Sequence, residues 1–167
     1  MSRFVTRSSL SAVHALGPEA ERSHARVSAI MARHVSPRHA HLLAEPVPVR
    51  DGTGVDWYVE GDGEVQSLAS LPPDEAAAVR TRLAGMIDEV TAAAARIESD
   101  QRSAQKHIPA VLRNAVRFPT EASVWALRDG EEWQPLLVEW GYEAHDAPAA
   151  APFHVSTFAE PPPEALT

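Results

Sequence analysis

Cysteine is absent from all 167 residues. That excludes disulfide staples, a thiolate nucleophile and any metal centre built on sulfur, and it suits a reducing, cytoplasmic setting. Aromatic residues are also scarce, at 6% of a chain that is 44% hydrophobic. The expected core is therefore built on alanine and aliphatics, with a handful of aromatic anchors. No apolar run reaches the roughly 18 residues that a spanning helix requires. No acid precedes Glu19. The first residues, with Arg3, Arg7 and several serines, superficially have the composition of an organelle transit segment, but read more simply as a flexible basic arm. A secretory signal is not expected, because no apolar stretch of about 7–15 residues follows the arginines.

What is present is unevenly charged. Residues 1–50 hold seven Arg against three Glu, a balance of +4, inside a chain whose net charge is −8. The first segment is thus suited to an acidic surface, including the body of its own domain, while the remainder would repel phosphate. Nucleic-acid binding through the arm is one alternative, although its arginines are not interleaved with aromatics.

Two apolar segments carry all four tryptophans. The first is Val55-Asp56-Trp57-Tyr58-Val59-Glu60, turning at Gly61-Asp62-Gly63 and expected to return over 64–69 as a hairpin. Val55, Trp57 and Val59 share one face of it, and Asp56, Tyr58 and Glu60 the other. The second covers 124–141 and turns at Asp129-Gly130, a dipeptide suited to positive φ in a tight hairpin. Between them, Leu71-Pro72-Pro73-Asp74-Glu75 signals a helix start, since proline fixes φ and acids suit the positive end of the dipole. Ala76, Val79, Leu83, Met86, Ile87, Val90, Ala94 and Ile97 follow as one apolar stripe. That stripe is expected to pack on the sheet, with pairing to a partner's helix as the alternative. Pro109 is expected to break the helix, and a shorter return helix through Val111, Leu112 and Val116 to stop at Pro119. Upstream, a helix is expected from Gly17-Pro18-Glu19 to about His34, and an edge strand over 41–49, where Pro46 and Pro48 cannot donate to a ladder.

The fold expected is α+β: antiparallel hairpins packed on a long helix and a short return helix. Residues 38–143 would form this domain, 1–36 a basic arm with a helix, and 147–167 a mobile tail rich in proline and alanine. Trp57, Tyr58, Trp125 and Trp140 are its expected structural anchors. An apolar island at Phe153-His154-Val155-Ser156-Thr157-Phe158 is too small to fold alone. Phe153, Val155 and Phe158 are therefore expected to dock on a partner.

Constellations with chemistry are few. His34, His39 and His41 are the one dense group of metal-competent residues; on a strand, His39 and His41 would share a face. Asp56, Glu60, Asp62 and Glu64 make an acidic strip, read as a solvated hairpin edge. Gly52-Thr53-Gly54 and Gly61-Asp62-Gly63 are turns, since neither opens a helix as a phosphate cradle would. A Ser-centred nucleophile elbow is missing, as is a spaced His-Glu metalloprotease pattern.

Val55-Asp56-Trp57-Tyr58 followed by Gly63-Glu64-Val65, then Asn114-Ala115-Val116-Arg117-Phe118-Pro119 leading to Pro135-Leu136-Leu137-Val138-Glu139-Trp140-Gly141, resembles the N-terminal region of SrfA-type virulence proteins of bacteria, over about residues 40–142. The resemblance implies no catalytic residues and no cofactor. It implies a non-enzymatic accessory subunit of a multi-protein assembly, whose companions resemble Hsp70/actin-type ATPases and large GTPases. Beside it stand a small His-based metal-binding protein or hydrolase, and a nucleic-acid-binding accessory protein.

Overall fold

The computed structural model describes residues 2–100, 102 and 105–145. Eight strands and four α-helices follow in chain order: β1 (Ser2–Ser9), β2 (Val13–Ala15), α1 (His24–His34), α2 (Pro37–Ala40), β3 (Glu45–Pro48), β4 (Gly54–Glu60), β5 (Val65–Ser67), α3 (Pro73–Ser99), α4 (Ile108–Ala115), β6 (Val124–Asp129), β7 (Glu132–Leu137) and β8 (Tyr142–Ala144). The strands form three antiparallel sheets, ordered β1-β4-β3, β5-β6-β7 and β2-β8. The class is α+β, as the hydrophobic patterning predicts.

Helix α3 runs for 27 residues, about 40 Å at 1.5 Å per residue. Pro72 and Pro73 open it and Asp74 and Glu75 occupy its first turn. Its buried stripe includes Ala76, Val79, Leu83, Met86, Ile87, Val90 and Ala94, which the spacing of apolar residues marks out. That stripe packs on α4 and β7 and is internal. Two polar links from α3 add to this packing. Arg82 Nη1 donates to the Trp133 carbonyl at 2.9 Å, and Arg113 holds Glu98 with two 3.0 Å bonds. The helix stops at Ser99, well before Pro109. Pro109 instead falls in the first turn of α4, where its missing N–H costs nothing.

The first hairpin does not form as the sequence predicts. Strand β4 is central and already paired on both sides, by β1 and by β3, so it has no free edge for residues 64–69. The chain crosses at Gly61-Asp62-Gly63, and β5 pairs with β6. Gly63 makes this crossing possible: a Cβ there would run into the Arg128 carbonyl oxygen. The second hairpin does form, with Asp129 opposite Glu132 and Gly130 at φ 64° in the turn.

Residues 2–9 are not a separate arm. They form β1, in register with β4 from Ser2↔Glu60 to Ser9↔Gly54. The sheet therefore begins outside the 38–143 limits expected for the domain. The helix expected from Gly17 begins as a 3-10 turn at Glu19–Arg22 and restarts as α1 after Ser23. Strand β3 is an edge, as its prolines require. The tail expected over 147–167 lies outside the described residues.

Segment 42–44 ties the two larger sheets together. Leu137 N–H donates to the Leu42 carbonyl at 2.7 Å and Ala44 N–H to the Leu137 carbonyl at 3.0 Å, a parallel bridge onto the end of β7. The next residues become β3. At this junction Trp57 and Trp140, 1% and 3% exposed, meet at a ring separation of 6.3 Å and an interplanar angle of 62°. Each indole N–H is satisfied, Trp57 by Ser8 Oγ at 3.0 Å and Trp140 by the Ala44 carbonyl at 2.8 Å. We expect Trp57→Ala and Trp140→Ala each to cost about 3–5 kcal/mol in urea unfolding, because each leaves a large cavity and an orphaned polar partner. A loss below about 1 kcal/mol would contradict this packing.

Candidate functional site

The first sheet has one face on the core and one open. Val55, Trp57 and Val59 of β4 point inward; Asp56, Tyr58 and Glu60 point outward. Register then places Tyr58 between Phe4 on β1 and Glu45 on β3, and Asp56 between Arg7 and Val47. A register shift between Phe4 and Thr6 keeps Phe4 and Arg7 on the same open face. Phe4 and Val47, 55% and 41% exposed, are the large hydrophobics left in solvent among the described residues. Phe4 meets Tyr58 edge to face at 5.9 Å.

Charges rim this apolar patch. Arg7 grips Asp56 through Nε at 2.5 Å and Nη2 at 3.0 Å. The hydrogen bond and charge of Arg7 hold the Asp56 carboxyl below its ordinary value. Ser2 Oγ donates to Glu60, which lowers that carboxyl too. Arg3 reaches across to donate to the Gly63 carbonyl. Arg3 and Arg7, two of the arginines of the expected basic arm, are thus engaged within the fold itself.

A second feature is a cavity of about 660 Å³ between the first sheet and the β6–β7 hairpin. Tyr58, Glu60 and Asp62 line one side, and Arg128, Asp129 and Glu132 the other. Arg128 is already stacked over Trp133 at 5.1 Å and bonded to the Gly130 carbonyl. The lining is of mixed sign and selects no ligand chemistry.

The histidines do not converge. His39 lies on α2 rather than on a strand and is buried, while His41 is exposed and His34 ends α1. The reason is Ser36-Pro37: proline at the first helical position and a serine cap turn the chain into a helix. Ser36 Oγ accepts the His39 backbone N–H at 3.3 Å and sits 2.6 Å from His39 Nδ1. Nε2 faces Glu89 at 3.4 Å. A serine, a histidine and a carboxylate therefore stand in line, but the serine is the N-cap of α2. Among the described residues no three His, Asp or Glu side chains gather as a metal site. The acidic strip is divided as well, with Asp56 on Arg7, Glu60 on Ser2 and Glu64 on Gln66.

Of the anchors expected from sequence, Trp57 and Trp140 are buried, whereas Trp125 and Tyr58 are partly exposed. Trp133 is buried too, at 6% exposure. Phe153, Val155 and Phe158 lie outside the described residues. Phe4 and Val47 escape a reading of the sequence because the basic, serine-rich composition of residues 1–18 masks a strand. The adjacent aromatic and β-branched residues Phe4-Val5-Thr6 are the signal that marks it.

The fold and this surface define an α+β domain with one open sheet face. No family model, no curated protein and no solved structure matches the chain. Among the described residues, no helix is long and apolar enough to cross a membrane.

His39 generates a pH prediction. Burial lowers its pKa from the ordinary 6.5, partly offset by Glu89, with Arg38 lowering it further. The unfolded chain then binds a proton near 6.5 that the folded protein refuses. Stability therefore rises with pH through this window and falls on acidification, until the folded value is reached. We expect His39→Gln to flatten the loss of urea stability between about pH 7 and about pH 5. An unchanged slope in the variant would show that His39 is not its source.

Proposed function

We propose that the chain is a non-enzymatic accessory subunit of a bacterial, cytoplasmic multi-protein assembly, as its resemblance to SrfA-type proteins implies. The observation that carries this reading is the open face of β1-β4-β3, where Phe4 and Val47 stand in solvent around Tyr58 and the Arg7–Asp56 pair. An exposed aromatic ringed by engaged charges has the composition of a docking patch: an apolar centre, an Arg and a polar rim. Tyr58 and Phe4 brace each other, so little side-chain freedom is lost when a partner covers them.

The companions in this reading are the Hsp70/actin-type ATPase and the large GTPase that the resemblance implies. The chain contributes surface and no chemistry to them. Tagged protein recovered from its native host, with companions identified by mass spectrometry, tests this. Phe4→Arg places an unpaired charge at the centre of the patch and is expected to lower recovery of the companions about tenfold or more, since a central aromatic commonly carries 2 kcal/mol or more. Equal recovery by both forms would contradict the reading.

A further inference from the structure

The two edges of the first sheet differ. β3 carries Pro46 and Pro48, which have no N–H for a further strand. β1 has no proline in its eight residues and pairs on one side with β4. Among the described residues no strand pairs with its other side. A row of backbone N–H and C=O groups therefore runs along that edge, with Phe4, 55% exposed, beside it. An edge of this length templates another strand unless something blunts it.

The side chains of β1 have a symmetry that an edge strand does not require. The register shift between Phe4 and Thr6 leaves Ser2, Phe4, Arg7 and Ser9 exposed on the open face. Those positions mirror one another about the middle of the strand, 2 with 9 and 4 with 7. An antiparallel copy laid with Val5 opposite Thr6 therefore keeps every open-face residue on the open face. It sets Ser2 opposite Ser9, Arg3 opposite Ser8 and Phe4 opposite Arg7, so no arginine faces an arginine. A slip of one residue brings Arg3 opposite Arg7 and mixes the two faces, both of which are unfavourable. Arg7 also enters this register without a bare charge, because Asp56 holds its guanidinium through Nε and Nη2.

We propose that the occupant of this edge is a second copy of the chain, added antiparallel through β1 about a two-fold axis between Val5 and Thr6. The product is one six-stranded sheet, ordered β3-β4-β1-β1-β4-β3. Both of its outer edges are the proline-bearing β3, so pairing closes at two copies instead of growing into a filament. Each Phe4 ring lies beside the partner's Arg7, within reach of a cation–π contact. Size sets the strength. The eight residues share about 26 Å of edge at about 3.3 Å each. One strand on each side is small beside the roughly 1,200 Å² or more of a stable interface, so Kd is on the order of 10–100 μM. The proposal goes beyond the accessory reading and rests on the edge alone.

Sedimentation equilibrium of the full chain from about 5 μM to about 1 mM tests this. A monomer–dimer equilibrium is expected, weakened about tenfold or more by Phe4→Arg, which sets a guanidinium opposite the partner's Arg7. A chain that stays monomeric over this range, whether its edge is open or taken by another segment, overturns the proposal. So does a dimer that Phe4→Arg leaves unchanged. Disulfide exchange then tests the register with Phe4 intact, in a chain that has no cysteine of its own. Ser2→Cys mixed with Ser9→Cys is expected to link two chains in a glutathione buffer. Neither variant alone should do so, because like positions stand about 23 Å apart across the axis. Links within either variant alone, or none in the mixture, overturn the proposal. Both readouts use the isolated chain, so a monomer here leaves the recovery of companions with Phe4→Arg as a separate result.

Discussion

The edge-to-face contact between Trp57 and Trp140 is the interaction on which the other parts converge. Trp57 belongs to the central strand of the first sheet, and Trp140 follows the last strand of the second. Neither ring can be buried without a partner for its N–H, and each takes that partner from a different segment. Ser8 Oγ ties β1 to Trp57, and the Ala44 carbonyl ties the 42–44 crossover to Trp140. The backbone around Trp140 is bent to present it. Glu139 has φ 55° and Gly141 φ 81°, so left-handed residues flank the tryptophan. A non-glycine residue in that region costs about 1 kcal/mol. Ser123 Oγ donating to the Glu139 carboxylate and Gly141 N–H donating to the Arg117 carbonyl hold the bend.

The rest of the architecture follows from how the sheets find cover. The second sheet lies on α3 and the first shares its inner face with Trp140, so a single cluster runs from Val27 and Met31 through Trp57 to Leu83 and Leu112. The first sheet engages Arg7 with its own Asp56, and its outer face leaves Phe4 and Val47 in solvent. Phe4 and Val47 are exposed because that face has no second layer, in contrast to the β6–β7 sheet under α3. The open face is thus a consequence of layer order.

Helix α3, the return helix α4 and the second hairpin are legible because their signals are local. The 3.6-residue stripe of α3, the Pro72-Pro73-Asp74 start and the Asp129-Gly130 turn each act within a few residues. Strand partnership was not legible. Val55–Glu60 looks like the first half of a hairpin because a glycine-rich turn and a second apolar run follow it. Whether that run folds back or crosses over depends on β1 and β3, which occupy the two edges of β4. The Ser8 hydroxyl bonded to Trp57, and Gly63 against Arg128, are long-range terms that no window of sequence contains. His39 lies on a helix for a local reason: Ser36-Pro37 starts one, and that signal outweighs the strand suggested by His39 and His41 at a spacing of two. The open face is half legible, since alternation along β4 places Tyr58 on its polar side, but Phe4 and Val47 join it only through pairing.

A double-mutant cycle on Trp57→Leu and Trp140→Leu tests the central contact most directly, because it separates the meeting of the two rings from the burial of each. Aromatic pairs in this geometry contribute about 0.5–1.5 kcal/mol beyond area burial, so the cycle should give a coupling of about 1 kcal/mol in urea unfolding. Strictly additive losses would show that the two sheets are held together by something other than this contact.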